Sequence, residues 1–235
     1  MKMITDAWFE FNGVRSTDMG VRLMALPKRP IAAEKGEKIS VPGRDGYLWM
    51  SEGGAREAII VNVSCTTVDG YNPNGLAKWL SGEGLLIFSD DPKSAYRARV
   101  ISEYAREYRF LRFDAEKFDI PFECQPYRYV YPDPSRIKLT ASQVVDNPGN
   151  VYSLPKITVN GGGEITLHVG DYMIDIEGGS VVIDSETMEC FDTAGRLAND
   201  RVSMDEFPRL LPGDNPVMWS GNVTSVLIDG RWRNL

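Results

Sequence analysis

Turn signals recur roughly every 8–12 residues along most of this chain, the spacing of all-β sandwiches and barrels. Short runs of β-branched and aromatic residues lie between them. WFEFNGVRS (8–16) places Asn12-Gly13 between two such runs, a strong two-residue hairpin signal. KISVPGRDGYLWM (38–50) reads as a second hairpin, with residues 42–46, PGRDG, as its turn. AIIVNVSCT (58–66) reads as a largely buried strand, and LLIF (85–88) and YRARVIS (96–102) as further strands. In the second half, NPGNVYSLPKITVNGGGEITLHVG (147–170) reads as a loop, a strand, a turn at Gly161-Gly162-Gly163 and a strand. YMIDIEGGSVVID (172–184) repeats this around Gly178-Gly179. ETMECF (186–191), FPRLLPGDNP (207–216) and SVLIDGRWR (225–233) complete the series. The expected class is mainly β. An N-terminal β-sandwich-like domain with one short helix is followed by a β-sandwich or jelly-roll domain.

The helix is predicted between Asn72 and Gly82. Asn72 can cap it, Pro73 suits the first helical position, and Leu76, Trp79 and Leu80 share one face. So short a helix must be held by docking Trp79 rather than by propensity. Residues 104–131 hold nine aromatics (Tyr104, Tyr108, Phe110, Phe113, Phe118, Phe122, Tyr127, Tyr129, Tyr131) with Arg106, Arg109, Arg112 and Arg128 interleaved. Phe118, Ile120, Phe122 and Cys124 alternate with Asp119, Pro121 and Glu123, a strand with one buried face. Pro121 is expected to place it at an edge or bulge. An RNA-binding sheet also mixes aromatics with Arg, but acidic residues balance the basic ones here, which favours an ordinary sheet core.

Charge separates the two halves. Residues 1–130 carry 18 Lys+Arg and 18 Asp+Glu, whereas residues 131–235 carry 8 and 15, so the whole net charge of -7 lies in the second half. With YPDPS (131–135) as a linker, this predicts domains at 1–130 and 131–235. The balance argues against specific nucleic-acid binding, which needs net cation density. No run approaches the ~18 apolar residues of a membrane span, and the first residues lack the apolar core of a signal peptide.

Catalytic constellations are not evident. The single histidine, His168, cannot build a multi-histidine zinc site and has no nearby partner in its own strand. Cys65, Cys124 and Cys190 are too far apart for CxxC chemistry, and their odd number supplies no disulfide framework. NGGGE lacks the ending of a phosphate loop and leads into a strand. Asp171, Asp175, Glu177 and Asp184 could suggest a glycosidase or a calcium site. Asp175 and Glu177 alternate with Ile174 and Ile176, however, as on a solvated strand edge. Asn62-Val63-Ser64 and Asn222-Val223-Thr224 match the glycosylation pattern within predicted strands, where alternation explains the residue types. No enzyme, metal or cofactor is therefore expected. Arg44, Asp45, Tyr47 and Trp49, on the 38–50 hairpin, combine the residue types that anchor protein interfaces. Trp219 and Trp232, with the acidic edge, support an alternative: a carbohydrate-binding module recognising a bacterial surface glycan.

Order and spacing add a family resemblance. FEFNGVRSTDMGVRL, the proline break, SVPGRDGYL, GLAKWLSGEGLLIFSDDPKSAYRARV and FECQPY resemble the N-terminal region of siphophage distal tail proteins, the phage tail component family. NPGNVYSLPKITVNGGG and FPRLLPGDNPVMWSG resemble that family's C-terminal domain. The resemblance implies a structural virion protein at the distal end of the tail, assembled as a homo-hexamer ring by its N-terminal domains. The ring would join tail tube protein to tail-tip or tail-associated protein and leave a channel for DNA. It also implies a galectin-like C-terminal β-sandwich at the periphery, which does not in itself entail sugar binding. Some relatives carry an inserted arm that grips receptor-binding proteins, a further partner, but this chain shows no such insertion.

Overall fold

The computed structural model describes residues 7–67, 73–101, 117–132 and 136–235. Among these, antiparallel strands dominate, with one α-helix and two short 3-10 turns. The expected mainly β, sandwich-type class is what the described residues adopt, with one short helix among them. It divides into two compact units: residues 1–131 with Leu235, and residues 132–234.

The first unit is built on β1 (Phe9–Phe11), β2 (Val14–Arg15), β3 (Val21–Leu23), β6 (Ile59–Thr67), β7 (Glu83–Phe88), β8 (Asp91–Val100) and β9 (Lys117–Val130). They hydrogen-bond in the order β2-β1-β7-β8-β9-β6-β3. Asn12 and Gly13, with φ of 52° and 77°, make the tight β1–β2 turn that their types favour. Helix α1 (Pro73–Trp79) is held as its length requires. Leu76 is fully buried, the Trp79 indole stacks on Phe9 (centroids 5.3 Å apart, 15° between planes), and its Nε1 donates to the Phe11 carbonyl at 2.8 Å. Phe9, Phe11 and Phe122 form the aromatic centre of this core. The Asn72 cap and the aromatics Tyr104, Tyr108, Phe110 and Phe113 lie outside the described residues, as do 133–135 of the predicted linker.

Two expectations are corrected here. β6 is buried on one face only, and Ile60 is 52% exposed, because its alternate residues point away from the core. Phe118, Ile120, Phe122 and Cys124 are buried as predicted, yet β9 lies inside the sheet between β8 and β6. Pro121 is tolerated because it sits just past the end of β8, where its carbonyl accepts from Ile101 N at 3.3 Å.

The second unit is organised by two long strands, β12 (Lys156–Val169) and β17 (Gly213–Asp229), paired over most of their length. The halves of each have different outer neighbours. The C-terminal half of β12 pairs with β13 (Tyr172–Ile176) and its N-terminal half with β14 (Val181–Asp184). β17 likewise pairs with β11 (Gln143–Asn147) and then β10 (Ile137–Leu139). β16 (Val202–Met204) extends β13, and β15 (Glu189–Phe191) extends β14. The long pair thus runs through both layers of a β-sandwich, whose buried rows include Ile157, Val159, Leu167, Ile174, Ile183, Val226 and Ile228.

The expected hairpin turn at Gly161-Gly162-Gly163 is absent. β12 continues through the glycines, with Gly161 opposite Val223 and Gly162 opposite Asn222, and the register shifts there as at a bulge. Glycine is needed because the backbones approach closely. A Cβ on Gly161 would lie 2.4 Å from the Asn222 carbonyl oxygen, and one on Gly221, at φ 93°, would lie 2.4 Å from that of Glu164.

Candidate functional site

The predicted interface residues fall on a hairpin apart from both sheets. Among the described residues, β4 (Glu34–Ile39) and β5 (Leu48–Arg56) pair only with each other. The turn between them holds Gly43 and Gly46 at φ 78° and 79°, with Arg44 N donating to the Val41 carbonyl at 3.1 Å. Arg44 and Asp45 occupy the exposed tip. Tyr47, Leu48, Trp49 and Met50 follow, each 41–54% exposed. Lys38 Nζ sits 5.0 Å from the Tyr47 ring centre. The Trp49 ring lies across Gly36, where a Cβ would meet it at 2.6 Å. Arg56 ties the base by donating to the Ala32 carbonyl at 3.0 Å. The hairpin therefore gathers Arg44, Asp45, Tyr47 and Trp49 on one projecting element, with Leu48 and Met50 as apolar neighbours that sequence reasoning did not single out. A free two-stranded hairpin is marginal in water, so an exposed apolar one is suited to a partner.

The acidic residues considered for catalysis do not converge. Asp184 is buried and holds Arg231 in a two-pronged pair, at 2.7 and 2.9 Å. Glu186 adds a contact to Arg231 at 3.0 Å. Burial alone would raise the Asp184 pKa. The Arg231 guanidinium and the backbone N–H groups of Glu186 and Thr187 outweigh it and hold the carboxyl below its ordinary value. Asp175 instead accepts from Thr166 Oγ1 at 2.7 Å on an exposed face. Among the described residues, no group of three His, Cys, Asp or Glu side chains could hold a metal ion. Cys65, Cys124 and Cys190 are free and buried. Burial pushes their thiols up to about 12, 12 and 11, with the charges of Asp119 and Glu123 adding to the first two. The cleft beside Arg29 and Arg128 is likewise internally satisfied. Arg29 bonds Asp90, and Arg128 pairs with Asp91 at 3.5 Å and donates to the Leu235 carbonyl at 3.0 Å.

The tryptophans weighed for glycan binding form no platform. Trp232 is 4% exposed, and Trp219 shares its cross-strand row with the buried Leu167, which also pairs with the buried Ile174.

No family model and no curated protein matches the sequence. Among solved structures, the SPP1 Dit protein (gp 19.1), described as a paradigm of the hub adsorption apparatus in phages infecting Gram-positive bacteria, matches over its whole length. The match covers 98% of this chain and 100% of that one, with a TM-score of 0.75 at 17% identity. The fold is that of a phage Dit hub protein. A chain of the phage P2 baseplate, in its activated conformation with calcium, matches over 95% of this chain and 98% of its own at TM-score 0.50 and 8% identity. At such identities the likeness is one of fold. The Dit fold runs through both units, and it agrees with the family that the sequence motifs resemble.

Proposed function

We propose that this chain is a non-enzymatic structural protein of a phage tail. It forms a hexameric ring that joins the distal end of the tail tube to tail-tip proteins and leaves a channel for DNA. The observation that carries the reading is the end-to-end agreement with the SPP1 Dit fold, 98% of one chain on 100% of the other. Ordered sequence motifs support it independently. The domains at 1–130 and 131–235 would act as ring-former and periphery.

The β4–β5 hairpin supplies the contact that a closed ring needs. Ring closure uses a heterologous interface, in which one surface of each copy meets a different surface of the next. Arg44, Asp45, Tyr47 and Trp49 project as such a surface, and their apolar area gains a cover only when a neighbouring copy docks. Charge balance in the first half suits a passage for DNA, since tight phosphate contacts would retard transit.

Negative-stain microscopy with light scattering at high protein concentration tests this. Expected are six-fold rings and a mass six times the 26.3-kDa chain. A strict monomer at high concentration, also in the presence of tail-tube protein, would overturn the reading.

A further inference from the structure

His168 pairs in register with Met173 on β13 and with Met218 on β17. Directly opposed residues of an antiparallel sheet point to the same face, so the three side chains form one row across adjacent strands, Met173–His168–Met218. The face is the solvent face. Met173 is 57% and Met218 48% exposed, while the neighbouring Leu167, Val169 and Ile174 point inward and are buried. His168 is half-buried between the two methionines. The sequence contains no other histidine.

Cross-strand neighbours have Cβ atoms about 4.5–5.5 Å apart. Met is unbranched and rotates about three bonds, so each thioether can reach towards the imidazole from its own side. Metal–donor bonds are about 2.0–2.3 Å long, so two sulfurs and one nitrogen separated by about twice that length bracket a single cation. Thioether and imidazole donors without a carboxylate select a soft ion. The stronger soft donors of this chain do not compete, because all three cysteines are sealed in the two cores. Two residues along the same face, the Asp175 carboxylate is held by Thr166 and adds a favourable field for a cation.

We propose that Met173, His168 and Met218 form a surface site for a soft monovalent cation of the copper(I) class. The imidazole binds in its neutral form as the central donor, and a thioether sulfur closes on each side. Binding is reversible coordination with no change in oxidation state.

The test uses the full chain with ¹³C-labelled methionine methyls in chloride-free buffer, titrated with silver(I) as a redox-inert probe and then with copper(I) under anaerobic reducing conditions. Met173→Leu and Met218→Leu assign the two methyl signals. One equivalent of silver(I) is expected to shift these two methyls and the single imidazole together, leaving the other methionines in place. The double variant Met173→Leu/Met218→Leu, which keeps the exposed face apolar, is expected to lose at least tenfold in affinity with the native circular dichroism spectrum retained. His168→Ala is expected to do the same. Equal shifts at all nine methionines, an unmoved imidazole in the native protein, or a double variant that binds as the native chain does would each overturn the site. Zinc(II) binding there as tightly as silver(I) would overturn the soft-ion assignment.

Discussion

Two antiparallel strand pairs in this molecule are alike in backbone and opposite in environment. β12 and β17 pair across twelve registered positions, and alternate residues along them are sealed in the sandwich. β4 and β5 also pair in register, yet β5 is exposed along almost its whole length. Backbone hydrogen bonds are present in both, so they do not distinguish a load-carrying core from an appendage. Net stabilisation follows the apolar area removed from water. The β12–β17 pair finds that cover within its own unit. The β4–β5 hairpin has the aromatic and aliphatic side chains but no full cover for them among the described residues, which is the state expected of a surface that completes itself by assembly.

The contrast can be broken first at the second unit's buried ion pair. Asp184→Asn removes the two-pronged partner of Arg231 but leaves the Glu186 contact at 3.0 Å, and is expected to cost about 3 kcal/mol, the low end for a broken buried pair, read from denaturant unfolding. The same carboxylate gives a pH signature. Its folded pKa lies below the ordinary value of 3.8, so its stabilisation is present above that value and is lost as pH falls through the depressed one. Native protein should therefore weaken in that acid window more steeply than Asp184→Asn. A smaller effect is expected at the crossing of the long strands. Gly221→Ala puts a Cβ against the Glu164 carbonyl at positive φ and should cost about 1–3 kcal/mol, with melting temperature as the measurement. Smaller again is Trp79→Phe, which keeps the stacking on Phe9 but removes the bond to the Phe11 carbonyl. About 1 kcal/mol is expected from chemical denaturation. The least effect on monomer stability is expected on the hairpin. Trp49→Ala/Met50→Ala should change it by no more than about 0.5 kcal/mol while abolishing the proposed hexamer in light scattering. A large loss of monomer stability there would erase the contrast between the two pairs.

Local chemistry made much of the fold legible. Asn12-Gly13 and the PGRDG turn produce the hairpins expected of them, and Trp79 and Leu76 anchor a helix too short to be held by propensity. The exposed face of β6 follows from plain strand alternation, but two other departures share a cause, partners far away in sequence. Gly161-Gly162-Gly163 looks like a turn to any local reading, but β17 arrives from some sixty residues downstream and keeps the strand paired through its bulge. Pro121 looks like an edge residue until β8 is seen to end beside it. The aromatic and charged residues of the hairpin could be read as interface candidates from type alone. The Met173–His168–Met218 row could not, because it exists only once the register of three strands is set.

The long strand pair also has a mechanical meaning. β12 and β17 run antiparallel through both layers of the sandwich with their register interrupted only at the glycine bulge. A pull along the strand direction is resisted by many rungs in parallel, whereas a pull that peels the strands apart meets them one at a time. In the proposed role at the end of a tail, the protein passes force between its neighbours. The direction of the β12–β17 strands is expected to be the one in which the second unit resists unfolding most strongly.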